Sequence, residues 1–136
     1  MLIIGDGLAG DSGDDRGSSP VEFVLVGALL TFLTLGVLQL GLATYVRNVV
    51  HDAAVEGAYH AALADTTLSE GATRTRAIVA RTVGPDYATD VTVRTTTALG
   101  HTAVEMRVTA SLPLVGLFGA PHALEVVASA PAESFD

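Results

Sequence analysis

The chain contains no cysteine and no tryptophan, and all seven of its basic residues are arginine. Without cysteine, disulfides and thiolate metal sites are excluded. The arginines are scattered through an acidic chain of net charge −8, so the clustered positive charge that binds nucleic acid is missing. Aromatic residues amount to 5% of the sequence, which argues against a platform on which bases stack. We therefore expect no nucleic-acid partner.

Charge is absent altogether from one long segment, Phe23 to Val46, in which fourteen residues are Leu, Val or Phe. As a helix this segment would be about 36 Å long, enough to cross a hydrocarbon core of about 30 Å. Its Leu, Val and Phe residues favour insertion by about 4–8 kcal/mol in total. We predict a single membrane span at residues 23–46, in contact with membrane lipid. A buried helix of a soluble domain and a cleaved secretory signal are the alternatives. A chain this short has little protein with which to bury such a helix. The apolar run is also too long for a secretory signal.

The remaining sequence divides around this span. Residues 1–17 are rich in glycine and aspartate and are interpreted as a leader. Residues 18–65 are predicted to form one long helix, with Pro20 in its first turn. Beyond the span, small apolar residues recur at spacings of three and four and predict a buried stripe: Val46, Val49, Val50, Ala53, Gly57, Ala61 and Ala64.

Residues 66–136 predict a small α+β domain. A second helix is expected from a cap at Ser69 to about Val83, ended by Gly84 and Pro85. Alternating apolar and polar residues predict three antiparallel strands, which are residues 90–97, 104–112 and 123–130. Residues 98–100 are expected to form the first connection, and residues 114–119 an apolar one. The fold class is therefore α+β, a long helix followed by a short helix and a three-stranded antiparallel sheet.

A glutamate marks the start of the membrane segment. Gly17 is followed five residues later by Glu22, and Phe23 then opens the apolar run. A carboxylate at the end of a membrane helix is costly, so a functional role is the first hypothesis. The sequence resembles the TadE-like family in three segments, which are residues 16–23, the apolar helix and residues 45–58. Members of this family are minor pseudopilins of the tight-adherence type IV pilus apparatus.

The resemblance implies a pilin-like, non-enzymatic subunit without a cofactor. A prepilin peptidase would cut between Gly17 and Ser18. Other pilin or pseudopilin subunits and an inner-membrane assembly platform would be its partners. The leader would lie in the cytoplasm and residues 47–136 outside it. The protein would reach the cell surface only after assembly. Charge does not decide the orientation, because one arginine lies near each end of the span, Arg16 before it and Arg47 after it.

Cleavage after Gly17 would create a new α-ammonium on Ser18, four residues before Glu22. An acid near the bilayer edge is less costly when an opposite charge pairs with it. We therefore hypothesise that Glu22 pairs with the Ser18 amine of a neighbouring subunit during assembly. The alternative is a solvent-facing glutamate that favourably meets the helix dipole.

Other motifs in the sequence do not support a catalytic, cofactor or metal site. Residues 5–10 match a dinucleotide-binding glycine pattern, but no βαβ unit surrounds them. Residues 10–13 resemble a serine-protease nucleophile segment without its scaffold, and residues 11–15 lack the ligands of a calcium loop. Asp52, Glu56 and His60 share one helix face, which we interpret as solvated with a weak contact between Glu56 and His60. We expect no small-molecule substrate.

Two rival functions remain: an uncleaved single-pass protein whose outer domain binds a partner or ligand, and a small membrane-anchored enzyme.

Overall fold

The computed structural model describes residues 1–3, 18–88, 90–111 and 124–133. Helix α1 spans Ser18–Ala62 and helix α2 spans Leu68–Thr82, and a single 3₁₀ turn follows at Pro85–Tyr87. Three strands complete the order, β1 at Asp90–Ala98, β2 at His101–Ala110 and β3 at Leu124–Pro131. They form one antiparallel sheet in the order β1-β2-β3. The predicted α+β class is confirmed.

The chain forms two compact units, residues 1–37 and residues 38–136. In the first unit, α1 exposes its large apolar side chains along its length. Its threonines satisfy their hydroxyls within the helix: Thr31 donates to the carbonyl of Gly27 and Thr34 to that of Leu30, each at 2.8 Å. These hydroxyls therefore need no partner outside the helix. This suits an apolar environment, in which water is not there to accept a hydrogen bond.

Helix α2 begins with a capping box rather than with the predicted cap at Ser69. Thr67 is the N-cap, and its hydroxyl accepts a hydrogen bond from the backbone N–H of Glu70. The Glu70 carboxylate in turn accepts from the backbone N–H of Thr67 at 2.7 Å. The helix ends as predicted before Gly84, whose φ of 121° is in the region that glycine tolerates best.

The hairpin between β1 and β2 is tighter than the sequence suggests. Its turn contains two residues, Leu99 and Gly100, with φ angles of 51° and 83°, whereas three connecting residues were expected. Two positive φ angles match the twist of adjacent antiparallel strands. Strand β2 therefore begins at His101, three residues before the predicted start. The apolar connection predicted at residues 114–119 lies outside the described residues.

The core of the second unit lies on one face of the sheet. Inward-facing residues pair across all three strands, so that Met106 stands between Val93 and Ala128, and Val108 between Val91 and Val126. The second half of α1 contributes Val46, Val50 and six small residues to the buried set, which are Ala53, Ala54, Gly57, Ala58, Ala61 and Ala62. The predicted stripe is confirmed at five of its positions, but Val49 is half-buried and Ala64 is exposed.

Two glycines allow α1 and α2 to approach each other closely. A Cβ atom on Gly57 would overlap Thr75 Oγ1 and lie 2.9 Å from the carbonyl oxygen of Gly71. A Cβ atom on Gly71 would overlap Ala61 Cβ and lie 2.6 Å from the carbonyl oxygen of Gly57. Thr75 is fully buried at this crossing, and its hydroxyl lies 3.2 Å from the carbonyl oxygen of Ala53. Small residues therefore fix the separation of the two helices.

Candidate functional site

The candidate processing site lies where α1 begins. The helix starts at Ser18, and Pro20 occupies its first turn, where a missing backbone N–H leaves no helical hydrogen bond unmade. Gly17 lies outside the described residues, as does the side chain of Ser18. Ser18, the residue that would follow the predicted cleavage, is the first described residue of α1.

Glu22 lies one helical turn after Ser18 and is exposed. Four residues along a helix correspond to about 6 Å along its axis, so Glu22 and the Ser18 backbone nitrogen share one side of the first turns. Glu22 makes no ion pair with any of the described residues. Its carboxylate lies near the N-terminal end of α1, where the helix dipole attracts an anion. An opposite charge could therefore reach Glu22 from outside its own helix.

The helix surface beyond Glu22 is apolar and uncovered. Phe23 is 79% exposed, Leu25 64% and Phe32 74%. Within residues 19–62 of α1, an apolar stretch has a mean hydropathy of 2.3, and none of it is buried inside the protein. The helix therefore has the length and composition to cross a membrane. An apolar surface of this extent marks a site of contact with lipid or with other protein.

The polar face of the second half of α1 differs in detail from the prediction. Glu56 pairs with Arg74 of α2, through Nε at 2.9 Å and Nη2 at 2.5 Å, instead of with His60. Asp52 is highly exposed, and among the described residues the charged group near it is that of its neighbour His51, at 3.8 Å. In the described part of the chain, no group of three or more His, Cys, Asp or Glu side chains is arranged to hold a metal ion.

A row of charges on the outer face of the sheet was not anticipated from the sequence. Glu105 on β2 lies 2.7 Å from Arg94 on β1 and 3.6 Å from Arg107 on its own strand, while Arg107 also contacts Glu125 on β3. Arg94 and Glu105 are register partners, so the hairpin register would have revealed the first of these pairs. Opposite charges on adjacent strands stabilise their pairing.

The comparisons with known proteins concern the N-terminal part of the chain. Residues 17–58 match the family model described as TadE-like protein, slightly less than a third of the sequence. The match begins at Gly17 and ends within the buried half of α1, before the sheet. No curated protein and no solved structure shows significant similarity to the chain. The resemblance inferred from the sequence is thereby confirmed, and it supports involvement in the tight-adherence pilus system.

Proposed function

We propose, from the TadE-like character of residues 17–58, that this chain is a minor pseudopilin-like subunit. It would take part in assembling a tight-adherence type IV pilus or a related secretion filament. The observation that carries this proposal is the coincidence of three features at one helix start. The family match begins at Gly17, α1 begins at Ser18, and the exposed Glu22 lies one turn later at the edge of an uncovered apolar surface.

Processing is the first step of the proposed function. A prepilin peptidase in the cytoplasmic membrane removes residues 1–17 and leaves an α-ammonium on Ser18. The helix then begins with a positive charge on its backbone nitrogen, which the helix dipole does not favour. A carboxylate brought close to that amine offsets this cost, more strongly where water is scarce.

Assembly is the second step. Before assembly, lipid surrounds residues 23–46, while residues 47–136 lie on the extracytoplasmic side. During assembly, helices of other pilin or pseudopilin subunits replace the lipid around this apolar surface, with an inner-membrane platform as the site of transfer. Because an isolated charge is costly near the bilayer, Glu22 pairs with the Ser18 amine of a neighbouring subunit and fixes the axial register of the two helices.

The experiment changes Glu22 and follows processing and incorporation separately. Glu22→Ala removes the carboxylate, and Glu22→Gln removes only its charge. In cells that produce the complete apparatus, both variants should be trimmed to Ser18 but should be depleted from sheared surface filaments or the assembled membrane complex. Glu56→Gln is the matched control, because it changes a glutamate on the same helix that is already paired with Arg74. Normal incorporation of both Glu22 variants would overturn the pairing.

A further inference from the structure

Helices α1 and α2 pack antiparallel, with a register that their contacts fix. Gly57 of α1 meets Gly71 of α2. Four residues earlier on α1 and four residues later on α2, the carbonyl of Ala53 accepts a hydrogen bond from the hydroxyl of Thr75 at 3.2 Å. Because both helices rise by about 1.5 Å per residue, equal numbers of residues along them in opposite directions stay at about the same level. This register allows residues near the end of α2 to be placed along α1.

Two arginines stand level with each other where the apolar segment of α1 ends. Six residues beyond the contact of Ala53, the register places Arg81 of α2 level with Arg47 of α1, and both arginines are exposed. Arg47 directly follows Val46, the last residue of the uncharged run, and Val46 is buried in the core of the residue 38–136 unit. That core thus reaches the end of the apolar segment without an intervening linker. We call Arg47 and Arg81 the arginine pair.

The arginine pair differs from the other arginines that the structure describes. Each of the others donates to a carboxylate or, in one case, to a backbone carbonyl; they are Arg74, Arg76, Arg94 and Arg107. In the described part of the chain, neither Arg47 nor Arg81 makes an ion pair or a side-chain hydrogen bond. The two guanidinium groups at this end are therefore available to a partner outside the chain.

The level of the arginine pair determines what surrounds it. Helix α1 has the length and composition to cross a membrane, and its uncharged run ends at Val46, so Arg47 follows at the level of the lipid headgroups. Arginine offers a planar fork of donors that matches two oxygens of a phosphate group. Tyrosine prefers the same level of a membrane. Tyr45 is 51% exposed near Arg47, and Tyr87 is half-buried in the turn after α2. This end of the unit therefore fits a phospholipid surface.

Acidic residues at the same end indicate which property of the lipid is recognised. Asp86 lies in the 3₁₀ turn that follows α2, and Asp90 begins β1; both are exposed. These two carboxylates offset the two guanidiniums, so a general attraction to an anionic surface is weak. A direct hydrogen bond from a guanidinium to a phosphate oxygen does not need such an attraction. The phosphate group itself is therefore the ligand that this arrangement favours.

We propose that Arg47 and Arg81 together bind the phosphate groups of phospholipid headgroups and hold the residue 38–136 unit against the membrane surface. Arg47 alone would be an ordinary arginine at the end of a membrane span. The new element is that α2 brings a second guanidinium to the same level. The inference rests on the proposed function only in that residues 23–46 lie in a membrane, and it requires neither trimming nor assembly.

The test uses the full chain, labelled with ¹³C at the arginine Cζ atoms, in phosphatidylcholine vesicles, which carry no net surface charge. Solid-state NMR measures how strongly the ³¹P nuclei of the lipid reduce the signal of each nearby Cζ atom. Arg47→Gln and Arg81→Gln should each remove the intensity of one arginine from the phosphorus-coupled signal. Arg94→Gln is the matched control, because it removes the same charge from an exposed arginine that is paired with Glu105. It should leave the phosphorus-coupled signal unchanged.

A phosphorus-coupled signal that Arg81→Gln leaves unchanged would overturn the proposal, since Arg47 would then act alone. Contact between the apolar side chains of α1 and the lipid acyl chains, measured on the same vesicles, shows whether the span is inserted. Acyl contact without the arginine contacts refutes this inference and leaves the membrane placement of the proposed function standing. Absence of both contacts refutes the membrane placement as well. The intact mass of the chain tests trimming separately, and the arginine contacts do not depend on it.

Discussion

Of the four glycines of α1, Gly57 is the one at which an added Cβ atom meets other atoms within 4 Å, so Gly57→Ala should disturb the crossing of α1 and α2. The new Cβ would overlap Thr75 Oγ1 and lie 2.9 Å from the backbone oxygen of Gly71. Thr75 is fully buried, so its hydroxyl can move only by giving up its contacts with the carbonyls of Ala53 and Gly71, now at 3.2 and 3.1 Å. The Gly71 oxygen can move only with α2 itself.

The expected magnitude follows from opposing terms. Overpacking of a close contact costs about 1–3 kcal/mol, and loss of the hydrogen bond of a buried hydroxyl costs about 1–2 kcal/mol more. Alanine gains about 1 kcal/mol over glycine from its higher helix propensity. We therefore expect Gly57→Ala to destabilise the residue 38–136 unit by about 1–4 kcal/mol.

Hydrogen exchange on the full chain in detergent micelles measures this effect, since it reports the opening of α2 without interference from the membrane helix. Amide protection in α2 should fall by about 5- to 700-fold. Asn48→Ala, an exposed substitution on the same helix, should change protection little. Thr75→Ala removes the overlapped atom, so the double variant should lose less than the sum of the two single losses. Protection equal to or above that of the unmodified chain in Gly57→Ala would refute the close crossing.

Two further predictions concern local structure in the same unit. Leu99→Asn should stabilise the hairpin by about 0.5–1 kcal/mol in thermal unfolding, because Leu99 is fully exposed at a φ of 51° that asparagine adopts more readily. Hydrogen bonds from the backbone and side chain of Thr67 lower the pKa of Glu70, so its ionised form stabilises α2 above the ordinary glutamate pKa. The stability difference between the natural chain and Glu70→Gln should therefore be present at neutral pH and vanish as the pH falls through the lowered pKa of Glu70. A difference independent of pH would contradict this explanation.

Patterns that depend on neighbouring residues were predictable from the sequence. The span, the three strands and the end of α2 follow from hydropathy, period-two alternation and the pair Gly84-Pro85. The cap of α2 was also within reach, because Thr67 and Glu70 have the spacing of a capping box, but the nearby Ser69 offered an equally good cap. Local patterns predict the existence of a helix or strand better than they predict the residue at which it begins.

Features that depend on packing were not predictable in the same way. The crossing at Gly57 and Gly71 requires knowing that two helices meet at those positions, which neither helix reveals alone. Helix α1 also buries Ala54, Ala58 and Ala62 beside the predicted stripe, a wider arc than one contact surface would cover. The pairing of Glu56 with Arg74 instead of His60 has the same origin, because α2 brings a guanidinium within reach.

The proposed role as a pseudopilin-like subunit depends most on the trimming of the chain before Ser18. The most direct measurement is the intact mass and N-terminal sequence of the full-length product, purified from membranes of cells that contain a prepilin peptidase. We expect a mature chain that begins at Ser18 in those cells and an untrimmed chain in cells that lack the peptidase. A chain that keeps residues 1–17 in both cases, or is cut at another bond, would contradict it.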